Sequence, residues 1–475
     1  MDAKVIRSRL LELLGPDIVL TASADVEPYL TDHRGLYHGR AAAVLLPRSV
    51  EQISHILAFC HEHLVGVVPH AGNTSYCGGA TPDESGKQIV LSLRRLNRIR
   101  SVDPLNWSLV AEAGCILADV QRAAEAADRF FPLSLGSQGT CQIGGNLSTN
   151  AGGTNVVRYG MMRDQVLGLE VVLPDGRVLS TLSTLRKDNT GYDIKNLFLG
   201  AEGTLGVITA ASLKLYPKIR SSATAFIAVP SVRAAVELLA ELREISGDCV
   251  SSFELIPRIG VELTTLHIEG VTDPLGEPYP WYVLCELTSS RIVDTLDSVL
   301  EGALTSAMER KLVLDAVLAQ SERQRAAFWK LRETIPEAQR LDGASIKHDV
   351  SLPIAVLPEF VERASAWVAA NVPEGRLVAY GHVGDGNLHF NLNQSPFAER
   401  EAFLAREPQT RRAIHDMVME LGGSFSAEHG IGRLKVAELE RYAPPAELEL
   451  MRAVKRAFDP NGIMNPGKLF RPETV

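Results

Sequence analysis

No apolar run in this chain of 475 residues approaches the roughly 20 residues that a bilayer-crossing helix needs; the longest are short stretches such as residues 41–47, AAAVLLP. The opening segment MDAKVIRSRLLELLG carries charges throughout and so lacks the charge-then-apolar layout of a secretory signal. It is expected to be an amphipathic helix with Val5, Leu10, Leu13 and Leu14 turned inward. Positive charge is also in short supply. Lys and Arg number 48 against 57 Asp and Glu, a net charge of −9, which leaves no basic footprint for nucleic acid or an anionic membrane. The six cysteines, Cys60, Cys77, Cys115, Cys141, Cys249 and Cys285, form no C-x-x-C pair. That spacing argues against a disulfide framework or a cysteine metal site, and the expectation is of buried thiols in a cytoplasmic protein. Internal repeats and low-complexity segments are absent. So are a G-x-G-x-x-G opening a helix and a G-x-x-x-x-G-K, which deprives NAD and P-loop readings of their motifs.

The remainder is ordinary for a large globular enzyme of two or three domains, with 45% hydrophobic and 22% charged residues. From residue 41 to about 208, short β-rich runs alternate with helical stretches, an α/β rhythm. After Arg220 the pattern changes to α+β. ATAFIAVP and WYVLCELTS are expected as strands, and SVRAAVELLAELREIS and IVDTLDSVLEGALTSAMERK as helices. Three regions follow: residues 1–220, 221–415 and a C-terminal helical stretch, 416–475.

Glycine and asparagine are concentrated in three loops of the first region. Backbone N–H groups of such loops can converge on an anion because no Cβ blocks the approach. Gly72, Asn73, Thr74 and Ser75 follow a strand expected to end near His70. Ser137, Thr140, Gly144, Gly145, Asn146, Asn150 and Gly152 lie in LGSQGTCQIGGNLSTNAGG, and Gly203 and Ile208 in GAEGTLGVIT. In this order and spacing the loops resemble the FAD domain of the vanillyl-alcohol oxidase and p-cresol methylhydroxylase superfamily. The resemblance implies an FAD-binding domain of two α/β subdomains with the pyrophosphate on the Gly72–Ser75 loop. Thr74 and Thr140 stand where some relatives carry the histidine or cysteine that attaches the flavin, and Cys141 is one position off, so noncovalent FAD is expected.

A second group of residues carries different chemistry. In GHVGDGNLHFN, Asp385-Gly386 is a strong two-residue hairpin turn. That register sets His382 opposite His389 and Tyr380 opposite Asn391, with the paired Cβ atoms roughly 5 Å apart. Two imidazoles so placed can share a metal ion. Glu428 and His429 in SAEHGIG add a carboxylate and a third imidazole, and Gly430 and Gly432 allow the backbone bend that both need to face one site. Two histidines and a carboxylate suit zinc or another divalent metal.

Together with FDPNGIMNPGK, these motifs resemble the D-2-hydroxy-acid dehydrogenases of the same superfamily. FWKLRETIPEAQRLDGASIKHDVSLPI is similar to the members that act on D-2-hydroxyglutarate. The resemblance implies an α+β substrate or cap domain over 221–415. It makes His382, His389 and Glu428 metal ligands and His429 the general base. It further makes Asn391, Arg332 and Lys347 substrate contacts and Asn465 a flavin-edge contact. It points to an electron-transfer flavoprotein or a quinone as acceptor and allows a homodimer. Pro336 stands where some members have a threonine that helps to hold a distal carboxylate, which leaves D-lactate or glycolate as the alternative substrate. Proline there should also start a new helix or kink one. A hydrolase using the histidines alone is the rival from another class, and it predicts a colourless protein.

Overall fold

The computed structural model of the chain describes residues 1–292 and 295–471. The chain forms two compact units, one of residues Met1–Gly152, Met161–Lys218 and Glu428–Val475, the other of Gly153–Gly160 and Ile219–Ala427. No helix among the described residues is long and apolar enough to cross a membrane.

The first unit is built on two sheets. In the four-stranded sheet, Ala41–Leu45 and Val67–His70 run parallel to Gln88–Ser92, one on each side of it, and Val19–Leu20 is added antiparallel at one edge. The helix Val50–His63 makes the crossover between the outer parallel strands. Ser49 caps it by accepting from the Gln52 N–H, and Ile53, Ile56, Leu57 and Cys60 form its buried face. The second sheet is five-stranded and antiparallel, with Val207–Lys214 between Ser108–Glu112 and Val166–Val172.

The N-terminal helix Ala3–Leu14 forms, with Leu10 and Leu14 inward as expected but Ile6 in place of Val5 and Leu13. Ile6 and Leu10 are buried with Ala42, Ala43 and Leu45, whereas Val5 and Leu13 are 45% and 48% exposed. Two residues one turn apart are enough to cover a strand that is itself largely alanine. No disulfide joins the six cysteines, of which all but the half-buried Cys249 are buried.

The end of the chain is tied into the first sheet by a buried ion pair. On the helix Pro445–Phe458, the Lys455 ammonium donates to Asp459 Oδ2 at 2.5 Å and to the carbonyls of Thr204 (2.7 Å) and Met464 (2.9 Å). Asp459 also accepts from the Ile463 and Met464 amides. The segment then runs beside Val67, which donates to the Ile463 carbonyl and accepts from the Asn465 amide.

The second unit has a four-stranded antiparallel sheet ordered Val250–Pro257, Trp281–Ser289, Ser221–Val229, Asp315–Leu318. Both faces are buried, and period-two alternation divides the side chains between two cores. Ala225 and Ile227 meet the helices Val232–Ile245 and Leu296–Glu309. Phe226 and Ala228 meet Phe328 and Leu331 of Glu322–Glu333 and Ile335 and Ala338 of Ile335–Asp342. Val293 and Asp294, within the span expected as the start of the helix over 292–311, lie outside the described residues. Pro336 is in the first turn of the new helix Ile335–Asp342, as expected, where its missing N–H costs no hydrogen bond.

The smaller sheet of this unit is organised around Asn387–Gln394. Gly375–Tyr380 pairs along one side, and Ser345–Ile346 and Asp349–Ser351 along the other.

Replacing Asp459 with Ala leaves the Lys455 ammonium buried without its counter-charge. The variant should lose about 3–5 kcal/mol of stability in chemical denaturation. An unchanged midpoint would show that the pair does not hold the C-terminal segment.

Candidate active site

The hairpin bearing the two histidines differs from its expected register. Tyr380 pairs with His389 and Val378 with Asn391, and residues Val383–Asp385 form a turn of 3-10 helix in place of a two-residue turn. The reason lies in the neighbouring sheet. Gly381 leaves the hairpin ladder and exchanges both backbone hydrogen bonds with Leu255, at 2.8 and 3.1 Å. That bridge makes the next opposed pair Glu254 and His382. His382 and His389 nevertheless come together, ring centroids 5.8 Å apart and nearly perpendicular.

Glu254 is fully buried on a strand whose eight residues are all buried. Its Oε1 lies 2.7 Å from His382 Nδ1, and its Oε2 accepts from Arg332 Nε at 2.8 Å. Burial opposes its charge, but His382 and Arg332 outweigh that and hold its pKa at about 2. Arg332, on the helix Glu322–Glu333, lies over the Tyr380 ring, 4.9 Å from its centroid. Tyr380 in turn packs against His389 at 5.1 Å. On the other flank His389 Nδ1 is 3.8 Å from an Asp349 carboxylate oxygen.

Asn391 occupies an interruption. Ser345–Ile346 and Asp349–Ser351 keep one register against Asn387–Gln394, so Lys347, exposed between them, stands opposite Asn391. Lys347 thus belongs to neither short strand. There the Asn391 side chain substitutes for the ladder, accepting from the His348 amide at 3.0 Å and donating to Gln339 Oε1 at 3.1 Å.

The first unit holds the glycine-rich loops together with Glu428 and His429. A Cβ on Gly72 would sit 2.6 Å from the Thr140 carbonyl oxygen and 2.9 Å from Cys141 Cα, so the Gly72–Ser75 loop and the loop over 137–146 touch at backbone level. Thr140 is tied to Ser137 through its amide, at 2.9 Å. Gly144, Gly145 and Asn146 lie on the short helix Ile143–Ser148, and Gly144 donates to the Ala113 carbonyl. Asn73 donates from its side chain to the Thr31 carbonyl, and Asn150 accepts from the Arg163 amide. Gly152 and Ile208 are buried, the latter among the core residues of the five-stranded sheet.

The loop of His429 is anchored to these same motifs. Glu202, beside Gly203, accepts from the Ile431 and Gly432 amides, both at 2.7 Å, and its own carbonyl accepts from Asn465 Nδ2 at 2.7 Å. Gly430 and Gly432 hold φ of 69° and 51°, the bend expected of them. The His429 ring packs on Tyr76, the residue after Ser75, with centroids 4.7 Å apart. Asn146 Oδ1 and Asn465 Oδ1 are buried acceptors that receive no hydrogen bond from the protein. A flavin ring or an adenine offers N–H donors of the kind such atoms need.

Sequence reasoning missed Glu254, Glu202 and Tyr76. Glu254 left a signal: it is the one ionisable residue in the otherwise uncharged strand VSSFELIP.

The family profile described as the FAD binding domain matches residues 41–182, and that of the C-terminal domain of FAD linked oxidases matches residues 218–469. The chain belongs to the FAD-linked oxidases. Within them it groups with the FAD-dependent D-2-hydroxy-acid dehydrogenases. It is 38% identical over 473 residues to a mitochondrial D-2-hydroxyglutarate dehydrogenase of Arabidopsis thaliana, covering 99% of this chain and 82% of that protein. With the mitochondrial enzyme of the same name from Bos taurus it shares 40% over 464 residues, covering 97% and 82%. The fold is that of p-cresol methylhydroxylase, with a TM-score of 0.76 at 18% identity over 98% of this chain and 96% of that one. The expected α/β and α+β architecture is therefore the observed one. The cytoplasmic placement is corrected by these relatives, which are mitochondrial proteins. The absence of disulfides among the six cysteines does not by itself fix a compartment.

Gly72→Ala forces the Gly72–Ser75 loop and the loop over 137–146 apart. The purified variant should carry less flavin per chain than wild type, read from its visible spectrum, while its far-UV spectrum stays native. Full flavin occupancy would remove the Gly72 loop from the cofactor site.

Proposed function

We propose that the chain oxidises D-2-hydroxyglutarate to the 2-oxo acid, using noncovalent FAD and a divalent metal. The observation that carries this reading is the buried Arg332–Glu254–His382 arrangement with His389 beside it, in a chain 38% and 40% identical to D-2-hydroxyglutarate dehydrogenases. His382, His389 and Glu428 are the proposed ligands, a set that suits zinc. Ala427, immediately before Glu428, donates its amide to the carbonyl of Asp349, the strand partner of His389.

His382, His389 and Glu428 would hold the metal, whose Lewis acidity would make the substrate 2-hydroxyl more acidic. His429 accepts the hydroxyl proton as general base, worth roughly 10²–10⁴-fold. The Gly72–Ser75, Ser137–Asn146, Asn150–Gly152 and Gly203–Ile208 segments and Asn465 would hold FAD, which would supply the acceptor for the C2 hydrogen as hydride. Arg332 and Lys347 hold carboxylates, and Asn391 contributes a polar contact. The electrons pass on to an electron-transfer flavoprotein or a quinone. Noncovalent binding is favoured because Thr74 and Thr140 offer no attachment and burial raises the pKa of the Cys141 thiol. Acid precipitation should release the flavin into the supernatant.

Pro336 favours a second reading, a monocarboxylate such as D-lactate or glycolate, because proline has no hydroxyl to offer a distal carboxylate. Anaerobic bleaching of the flavin by a panel of D- and L-2-hydroxy acids separates the two. Rapid bleaching by D-2-hydroxyglutarate and slow bleaching by D-lactate support the first, and the reverse order supports the second. Comparable rates with the L enantiomer would overturn both.

Lys347→Met should depress kcat/KM on the diacid at least tenfold, since a charge-assisted contact is worth roughly 1.5–3 kcal/mol, with flavin retained. Unchanged kinetics would remove Lys347 from the site.

A further inference from the structure

We propose that Glu254 is a positioning residue that sets His382 as a metal ligand and Arg332 as a carboxylate clamp at the same time. The inference rests on the roles given above to His382 and Arg332, and it adds the group that couples them.

A buried carboxylate between an arginine and a histidine is often no more than charge neutralisation. The geometry here is more specific. An ionised carboxylate only accepts hydrogen bonds, so the 2.7 Å contact from Glu254 Oε1 assigns the imidazole proton to His382 Nδ1. The lone pair is then left on Nε2, the atom available to a metal. Backbone geometry supports the same pairing, because the Leu255–Gly381 bridge sets Glu254 opposite His382.

The other oxygen acts on Arg332. Oε2 accepts from Nε at 2.8 Å and lies 2.7 Å from Nη2, yet Nη2 is a buried atom with no hydrogen bond of acceptable geometry. The guanidinium is therefore gripped along its inner edge and pressed over Tyr380, while its remaining N–H groups keep their donors for an anion. One rigid side chain, 0% exposed on a central segment of the strand Val250–Pro257, thus fixes the distance between the proposed metal ligand and the proposed anion clamp.

The test uses the flavin-loaded full chain with Glu254→Gln, Glu254→Asp and His382→Ala. Metal affinity is read by competition with a chromophoric chelator, flavin content by the visible spectrum, and kcat and KM on a D-2-hydroxy acid separately. Glu254→Gln should bind metal about 10–100-fold more weakly and show a raised KM, with flavin unchanged. Glu254→Asp keeps the negative charge that buried Arg332 needs, so it should fold. Its shorter side chain cannot reach both partners, and it should still lose metal affinity or gain KM. A purely neutralising carboxylate would lower the thermal midpoint of these variants and leave the metal affinity and KM of the folded protein at wild-type values, which overturns the proposal. If His382→Ala loses its metal while both Glu254 variants keep theirs with wild-type KM, the positioning role alone fails. If His382→Ala keeps a full metal complement, the ligand assignment fails and the positioning role falls with it.

Discussion

A carboxylate cut off from water persists as an anion only where positive charge and hydrogen-bond donors replace its hydration, and Glu254 has both. It sits on a strand buried on both faces, so neither it nor its partners can relax toward solvent. The consequence is mutual. Arg332 and His382 keep Glu254 ionised, and Glu254 keeps each of them in one orientation. Breaking such an arrangement from any side strands a buried charge, which costs several kcal/mol. The arrangement is therefore rigid in the way that the proposed site for a small anion and a metal requires, since a small error in the position of the reacting carbon is expensive.

The first unit solves a comparable problem with backbone. Glu202 is half-buried and desolvation of its carboxyl raises its pKa, while two amides of the HGIG loop hydrogen bond to its carboxylate. The loop that carries His429 and the segment that carries Asn465 are thereby fastened to the residue next to Gly203. Lys455 and Asp459 hold the same C-terminal segment from the other end. The Glu202 bonds, and the bond from Lys455 to the Thr204 carbonyl, join stretches of chain far apart in sequence. That long reach is why the glycine-rich loops, soft in isolation, can present a fixed set of donors and acceptors.

Much of the molecule was legible without coordinates. Short apolar runs in ATAFIAVP and WYVLCELTS mark strands buried on both faces, Ser231 before a run with apolar residues every three to four positions marks a helix, and Pro336 marks a helix start. The failures share a cause. Turn chemistry at Asp385-Gly386 implied a tight hairpin, but competition from Leu255 for the Gly381 backbone changed the register. On the first helix Leu10 and Leu14 meet the core as expected, but Ile6 takes the place of Val5 and Leu13 because the strand beneath decides which stripe fits.

Sequence by itself determined the elements, the kinds of chemistry available and the family, because periodicity, glycine placement and residue type are local properties that survive without tertiary context. Only the tertiary structure decided which groups meet. His382 faces Glu254 across a bridge between two sheets, and Arg332 comes from a helix on the same core, so no spacing along the chain encodes their contact. A lone glutamate in an apolar strand shows that some partner must exist. It takes the packed fold to say that there are two partners and that one carboxylate orients both.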